Sequence, residues 1–247
     1  MDVIKRDLVV QWYSELEEEL RRVLAELPPV PSNLGRWSPR LARIAVEACS
    51  MVDSLFRQAS PDPSTVDGQS IARSDLKITH FAVLFEASLR LSQFKSILLI
   101  SEPTYISPFS NWSTVASLSS YVPLSWWQDH TKIKHNRIPH WEKGTLSLAI
   151  ECLCALHQVI SRLPIKVPIM AEALLRFDWV SHSGWNPESL VEALRGGYAL
   201  SGVNLSSETR LFVTPLGPRS LPTDVADFKP VLYGCSPRVG AFFGRWS

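Results

Sequence analysis

Residues 126–137 read WWQDHTKIKHNR, two adjacent tryptophans followed by two histidines five residues apart among lysines and an arginine. On a helix from about Leu124 to Arg137, Trp126, His130, Ile133 and Arg137 share one face, and Thr131 and His135 share another. At 100° per residue the two histidines lie ~140° apart about the axis, so their rings do not grip one metal together. His140 continues the spacing, but Pro139 breaks the helix before it. A His130/His135/His140 zinc site therefore lacks the ligand geometry that zinc-binding helices use, and neither a metal nor another cofactor is expected.

The segments around this stretch also carry helical patterns. Downstream, EKGTLSLAIECLCALHQVISRL (142–163) sets Leu146, Ile150, Leu153 and Leu156 or His157 along one side. Upstream, the stretch from Lys5 to Leu27 spaces Leu8, Trp12, Leu16 and Leu20 four apart, and PPVP ends it. Ser38-Pro39 reads as an N-cap with proline at the first helical position, opening a helix whose apolar face is Leu41, Ile44, Ala48, Val52 and Leu55. SPDPSTVDGQS stops that helix. ITHFAVLFEASLRLSQF is apolar almost all round, the mark of a buried helix, and SILLISEPTYISPFSNW reads as a short strand or hairpin and a loop. Beyond Leu163 prolines and glycines multiply: MAEALLRF fits a short helix, and RLFVTPLG and KPVLYGC fit short strands between turns. The expected fold is mainly α, with a helical domain at 1–164 and a C-terminal extension, 165–247, of loops and short strands.

Composition limits the function classes. The chain is 45% hydrophobic and 20% charged, and its charge is 25 − 24 = +1. No bulk electrostatic drive toward nucleic acid exists, so any such binding must come from a local patch. The four cysteines include no CxxC pair, and Cys152 and Cys154 point to nearly opposite sides of a helix. They read as small buried thiols of a reducing cytoplasm rather than a disulfide framework. MDVIKRDLVVQW mixes acids and bases into its apolar stretch and is no signal peptide, and SILLI is far short of the ~20 residues that span a bilayer. The cytoplasm is the expected location, with no membrane partner.

WWQDHTKIKHNR, followed after a short gap by a long apolar helix, resembles the HEPN superfamily of small all-α proteins. It is similar in particular to the branch whose helix carries a tryptophan pair and an asparagine-x-x-lysine-histidine-x-arginine-type string. ARIAVEACSMVDSLFRQ (42–58), with its acids Glu47 and Asp53, is similar to that branch's second helix, and PFSNW (108–112) resembles its segment upstream of the tryptophans. The resemblance covers about residues 35–163. It implies a helical bundle that often dimerises and, in active members, a metal-independent ribonuclease with the motif arginine, four to six residues, histidine. The motif histidine falls on His135. His130 stands where the family prefers arginine, and Thr131 replaces the polar residue that usually follows the arginine. The implied setting is an effector of a toxin–antitoxin or antiphage defence system, with an antitoxin or defence subunit as protein partner.

The chemistry can be stated from the residues. Metal-free RNA cleavage needs a base for the 2′-hydroxyl, an acid for the leaving oxygen and a cation on the phosphorane. His130, His135 and Arg137 are the catalytic candidates, and Lys132, Lys134 and Thr131 the RNA-binding ones. In a homodimer two such helices would face each other. Other readings stand beside this one. The tryptophans are core or interface anchors, Asp129 and Lys132 an ordinary ion pair, and the cations a solvated edge. The chain is then a catalytically inactive dimerisation or scaffold subunit, or a regulator that binds RNA or nucleotides without cutting. His80, His157 and His182 read as structural histidines, RGGYALSG (195–202) lacks the context of a nucleotide loop, and the terminal GRWS reads as a docking tail or a packed end.

Overall fold

The computed structural model describes residues 3–180, 184–196, 205–216 and 221–245. His182, most of RGGYALSG and the last two residues of GRWS lie outside them. In chain order the described α-helices are α1 (Val3–Glu26), α2 (Pro31–Leu34), α3 (Pro39–Ala59), α4 (Ile78–Leu89), α5 (Ser125–His135), α6 (Leu146–Arg162), α7 (Ile169–Arg176), α8 (Pro187–Arg195) and α9 (Pro237–Phe243). The strands are β1 (Ser64–Val66), β2 (Gln69–Ile71), β3 (Ser96–Leu98), β4 (Thr104–Ile106), β5 (Ser206–Glu208) and β6 (Phe212–Pro215). The fold is mainly α. It divides into two compact units: a helical one, Gln11–Gln93 with Ser107–Ile160, and a mixed one, Met1–Val10 with Phe94–Ile106 and Ser161–Ser247.

In the helical unit, α3 begins where its sequence signal lies. Ser38 is extended and its hydroxyl accepts from the Leu41 N–H at 3.1 Å, with Pro39 next. Its inward stripe Leu41, Ile44, Ala48, Val52, Leu55 and Phe56 is buried, as the helical period requires. Phe56 stacks on Phe85 of α4 with centroids 5.1 Å apart and lies 6.1 Å from Trp112. Phe109 continues the cluster, 4.8 Å from Trp112 and edge-on to Trp126 at 5.5 Å. Asp67 and Gly68 both have positive φ and close the two-residue hairpin between β1 and β2. The stop signal SPDPSTVDGQS thus holds a hairpin of its own.

The buried stripe of α1 differs from the expected one. Leu8 and Trp12 are exposed, while Val9, Tyr13, Leu20 and Leu24 are buried. The stripe is rotated because Tyr13 donates its hydroxyl to Glu17 at 3.1 Å, which lets that acid enter the interior. The span Leu146–Ile165, α6 plus one turn, is long and apolar enough to cross a membrane, but 89% of its apolar window is buried inside the chain, as in a core helix.

In the mixed unit, the hairpin β3–β4 pairs with the C-terminal strands. The sheet runs β4-β3-β6-β5, all antiparallel, with Ile97 opposite Val213. Ile97 and Val213 share a core with Val225, Phe228, Tyr233, Val239 and Phe243. Strands β5 and β6 thus share one sheet with the hairpin at 96–106. Two expectations for this region change. KPVLYGC holds a 3-10 turn at Pro230–Tyr233 instead of a strand, because Pro230 fixes φ and removes a ladder donor. NPESLVEALR, not read as a helix, is α8: Asn186 accepts from the Ser189 N–H at 2.8 Å and Pro187 occupies the first turn.

A second device fixes the segment between α5 and α6. The Ser38 N–H donates to Gly144 O at 3.1 Å, the Leu146 N–H donates to Arg36 O at 2.8 Å, and Trp37 bridges to Thr145. Gly144 sits against α3 so closely that a Cβ there would lie 2.6 Å from the Ala42 Cβ. Gly144→Ala is expected to cost about 1–3 kcal/mol in urea unfolding, with the denaturant slope unchanged.

His157 of α6 is fully buried, 5.8 Å from the Tyr13 ring, and burial holds its imidazole down to about 3 from 6.5. The unfolded chain binds the extra proton first. His157's contribution to stability is therefore complete above pH 6.5 and is lost as pH falls toward 3. Glu151 has the opposite sign: burial pushes it up to about 7 from 4.5, so its contribution is complete below 4.5 and is lost as pH rises to 7. Below pH 4.5 the His157 effect acts unopposed by Glu151. His157→Gln should flatten the acid limb of a stability–pH profile relative to the unsubstituted chain, and an unchanged limb would contradict the burial.

Candidate functional site

α5 takes its rotation from Trp126. The indole is buried, donates Nε1–H to Pro108 O at 2.7 Å and meets Phe109 edge-on. With that side chain fixed, the helical period sends His130 and Ile133 inward too, against α3. Trp127 is half-buried, edge-on to His130 at 5.0 Å. Both tryptophans pack, in accord with the anchor reading.

The six candidate residues part company. His130 is 3% exposed, and neither ring nitrogen has a partner at hydrogen-bond geometry. The polar group it acts on is the Cys49 thiol of α3, whose sulfur lies 3.4 Å from that of Cys152 on α6. Burial alone would push the Cys49 thiol up. The neighbouring Cys152 thiol and His130 ring, with the charge of Lys134, outweigh it and bring the thiol to about 7 from 9.0. Cys152 moves the other way, well above 9.0, because burial and the Cys49 neighbour disfavour a second thiolate.

Thr131 donates its hydroxyl to Trp127 O at 2.7 Å, a bond within its own helix, and is half-buried. Lys132 pairs with Asp129 at 3.2 Å, and Lys143 reaches the same carboxylate at 3.5 Å. Lys134, His135 and Arg137 are exposed, with no ion pair or side-chain hydrogen bond among the described residues. The last turn of α5 thus carries cations where the helix dipole favours them. Asn136 leaves helical geometry at φ −148°, and beyond it Ile138 is 87% exposed.

The structure therefore does not bring the catalytic candidates together. His135 and Arg137 face solvent at the end of α5, whereas His130 is in the core beside two thiols. The reason is the ~140° between the histidines: fixing Trp126 inward forces one in and the other out. Thr131 is likewise committed to its helix, and Lys132 is partly neutralised by Asp129.

Two features were missed in the sequence. Trp37 and Trp141 are both about half exposed and meet edge-on, centroids 3.8 Å apart. Trp141 opens the turn Trp141–Lys143, whose Lys143 pairs with Asp129 of α5, so this turn packs against that helix. The available signal was a tryptophan beside basic residues outside any apolar period, in Arg36-Trp37 and His140-Trp141. The second feature is the Cys49–Cys152 pair, which no spacing rule could join across 103 residues.

A surface cleft of about 830 Å³ lies between α1 and α3 and is lined by Glu18, Glu19, Arg22, Arg40 and Arg43 among others. These acids and bases pair with one another, and none of the candidate residues lines it. Among the described residues no three His, Cys, Asp or Glu side chains are grouped to hold a metal. No protein-family model, no curated protein and no solved structure matches this chain.

Proposed function

We propose that the chain is a HEPN-like helical module that binds single-stranded RNA at the end of α5 and does not cut it. The observation that carries this reading is the division of α5. The histidine at the family's arginine position is buried among thiols, while Lys134, His135 and Arg137 remain exposed and unpaired. A buried imidazole cannot hold a phosphate as an exposed guanidinium fork does. Binding alone needs less: a few cations for phosphates and an aromatic face for a base. Trp37 and Trp141 are the exposed aromatic pair available for that face, with Trp141 four residues past Arg137 and Arg36 adjoining Trp37 in sequence. A net charge of +1 means that this patch, not the whole surface, must supply the attraction.

A ribonuclease effector of a toxin–antitoxin or antiphage system is the second reading. It is favoured by His135, exposed between Lys134 and Arg137, because a homodimer would set a second His135 against the first.

Anisotropy titration of a labelled single-stranded oligoribonucleotide, in chelator, separates the readings. The intact chain should bind and leave the RNA at full length. Lys134→Glu with Arg137→Glu should weaken binding and lower the slope of log K against log salt by about 1 per cation removed. Trp141→Ala should cost about 1–3 kcal/mol of affinity with little change in that slope. Cleavage abolished by His135→Ala would favour the nuclease. Absence of RNA binding, with self-association that the same substitutions disrupt, would favour a protein scaffold.

A further inference from the structure

We propose that Cys49 and Cys152 form a redox-active pair that hydrogen peroxide converts into an intramolecular disulfide, with His130 as the base that takes the Cys49 proton. The inference is independent of RNA binding and rests on three observations. First, two sulfurs from helices 103 residues apart in sequence lie 3.4 Å from each other. A disulfide needs about 2.05 Å, so the sulfurs must approach by a little over 1 Å, within the reach of side-chain rotation. Second, His130 is buried beside Cys49, and neither of its ring nitrogens meets a partner at hydrogen-bond geometry, although buried polar groups are almost always satisfied. An imidazole beside a thiol, with no other group to bond, is placed to take the thiol's proton. Third, the two thiols are unlike: the surroundings favour the thiolate at Cys49 and disfavour it at Cys152. One is suited to attack and the other to resolve.

The reaction balances with peroxide alone as oxidant. Cys49 gives its proton to His130, and the thiolate attacks one peroxide oxygen. The O–O bond breaks, and the departing hydroxide takes the proton from His130 and leaves as water. Cys49 is then a sulfenic acid. The Cys152 sulfur attacks the Cys49 sulfur, the S–O bond breaks, and the hydroxide leaves as a second water with the Cys152 proton. Two thiols and one peroxide become one disulfide and two waters. Both cysteines are fully buried, so the oxidant must be small and neutral, and bulky disulfides or alkylating agents are excluded from the folded chain.

The other two cysteines are built-in controls. Cys154 is also fully buried but sits two residues along α6 from Cys152. Cys235 is more accessible, yet burial and the nearby Glu208 push its thiol up to about 12, which keeps it unreactive. The order of oxidation should therefore run against accessibility.

The test treats the full chain with hydrogen peroxide, unfolds it in an alkylating agent and maps the peptides without reduction. The expected product is a Cys49–Cys152 linked peptide, lighter by two hydrogens and reversed by a dithiol, while Cys154 and Cys235 are alkylated. His130→Gln should slow the linkage about tenfold or more. The proposal is overturned if Cys49 and Cys152 stay alkylated under conditions that oxidise Cys235, or if Cys49 goes to sulfinic acid with Cys152 still free. Linkage at an unchanged rate in His130→Gln would remove the base from the mechanism. The mapping of the unsubstituted chain does not depend on any variant folding.

Discussion

The rotational setting of α5 is the constraint on which the rest of the helical unit's chemistry depends. A single buried indole fixes it. Trp126 gives its one polar hydrogen to Pro108 O and fills the end of an aromatic cluster that runs through Phe109, Trp112 and Phe56. An indole so placed has one satisfied donor and a large apolar body, so rotating the helix would expose the body and orphan the donor. With Trp126 held, the 3.6-residue period leaves no freedom at positions 130, 133 and 135. His130 and Ile133 go inward, and His135 goes to solvent.

Two separate chemistries follow from that one setting. Outside, the end of α5 exposes Lys134, His135 and Arg137, and the turn after it carries the half-exposed Trp141 against Trp37. That surface keeps its geometry because Gly144 lets the chain press against α3 and because Ser38 and Leu146 tie the segment by backbone hydrogen bonds. Inside, His130 enters a thiol pair that would otherwise be two unremarked core cysteines. A polar ring costs free energy in such a place unless it is used or satisfied. Lys134 acts on both sides: its head is exposed, and its charge still favours the Cys49 thiolate.

Much of the fold was legible because its signals are local. Ser38-Pro39 marks the start of α3, the apolar periods mark α3 and α6, and Ile-rich 96–106 gives the hairpin. What was not legible depends on partners distant in sequence. Glu17 is buried through Tyr13, which shifts the stripe of α1, and strands near 100 and 213 find each other only in the folded chain. The Asp67-Gly68 turn and the Asn186-Pro187 helix start were local signals hidden inside proline- and serine-rich stretches. At the site, the anchoring tryptophan and the Asp129–Lys132 pair were readable. The fate of His130 was not, because its burial follows from which face Trp126 commits to the core. The cysteine pair was invisible for the same reason as the sheet.

The division of α5 between core and solvent is tested most directly by hydrogen–deuterium exchange at the histidine ring C2 positions, read by mass spectrometry on the native chain. The exposed His135 should exchange readily, and the buried His130 should exchange far more slowly, alongside His157. Equal rates at His130 and His135 would contradict the buried setting of His130 and restore both histidines to one accessible site.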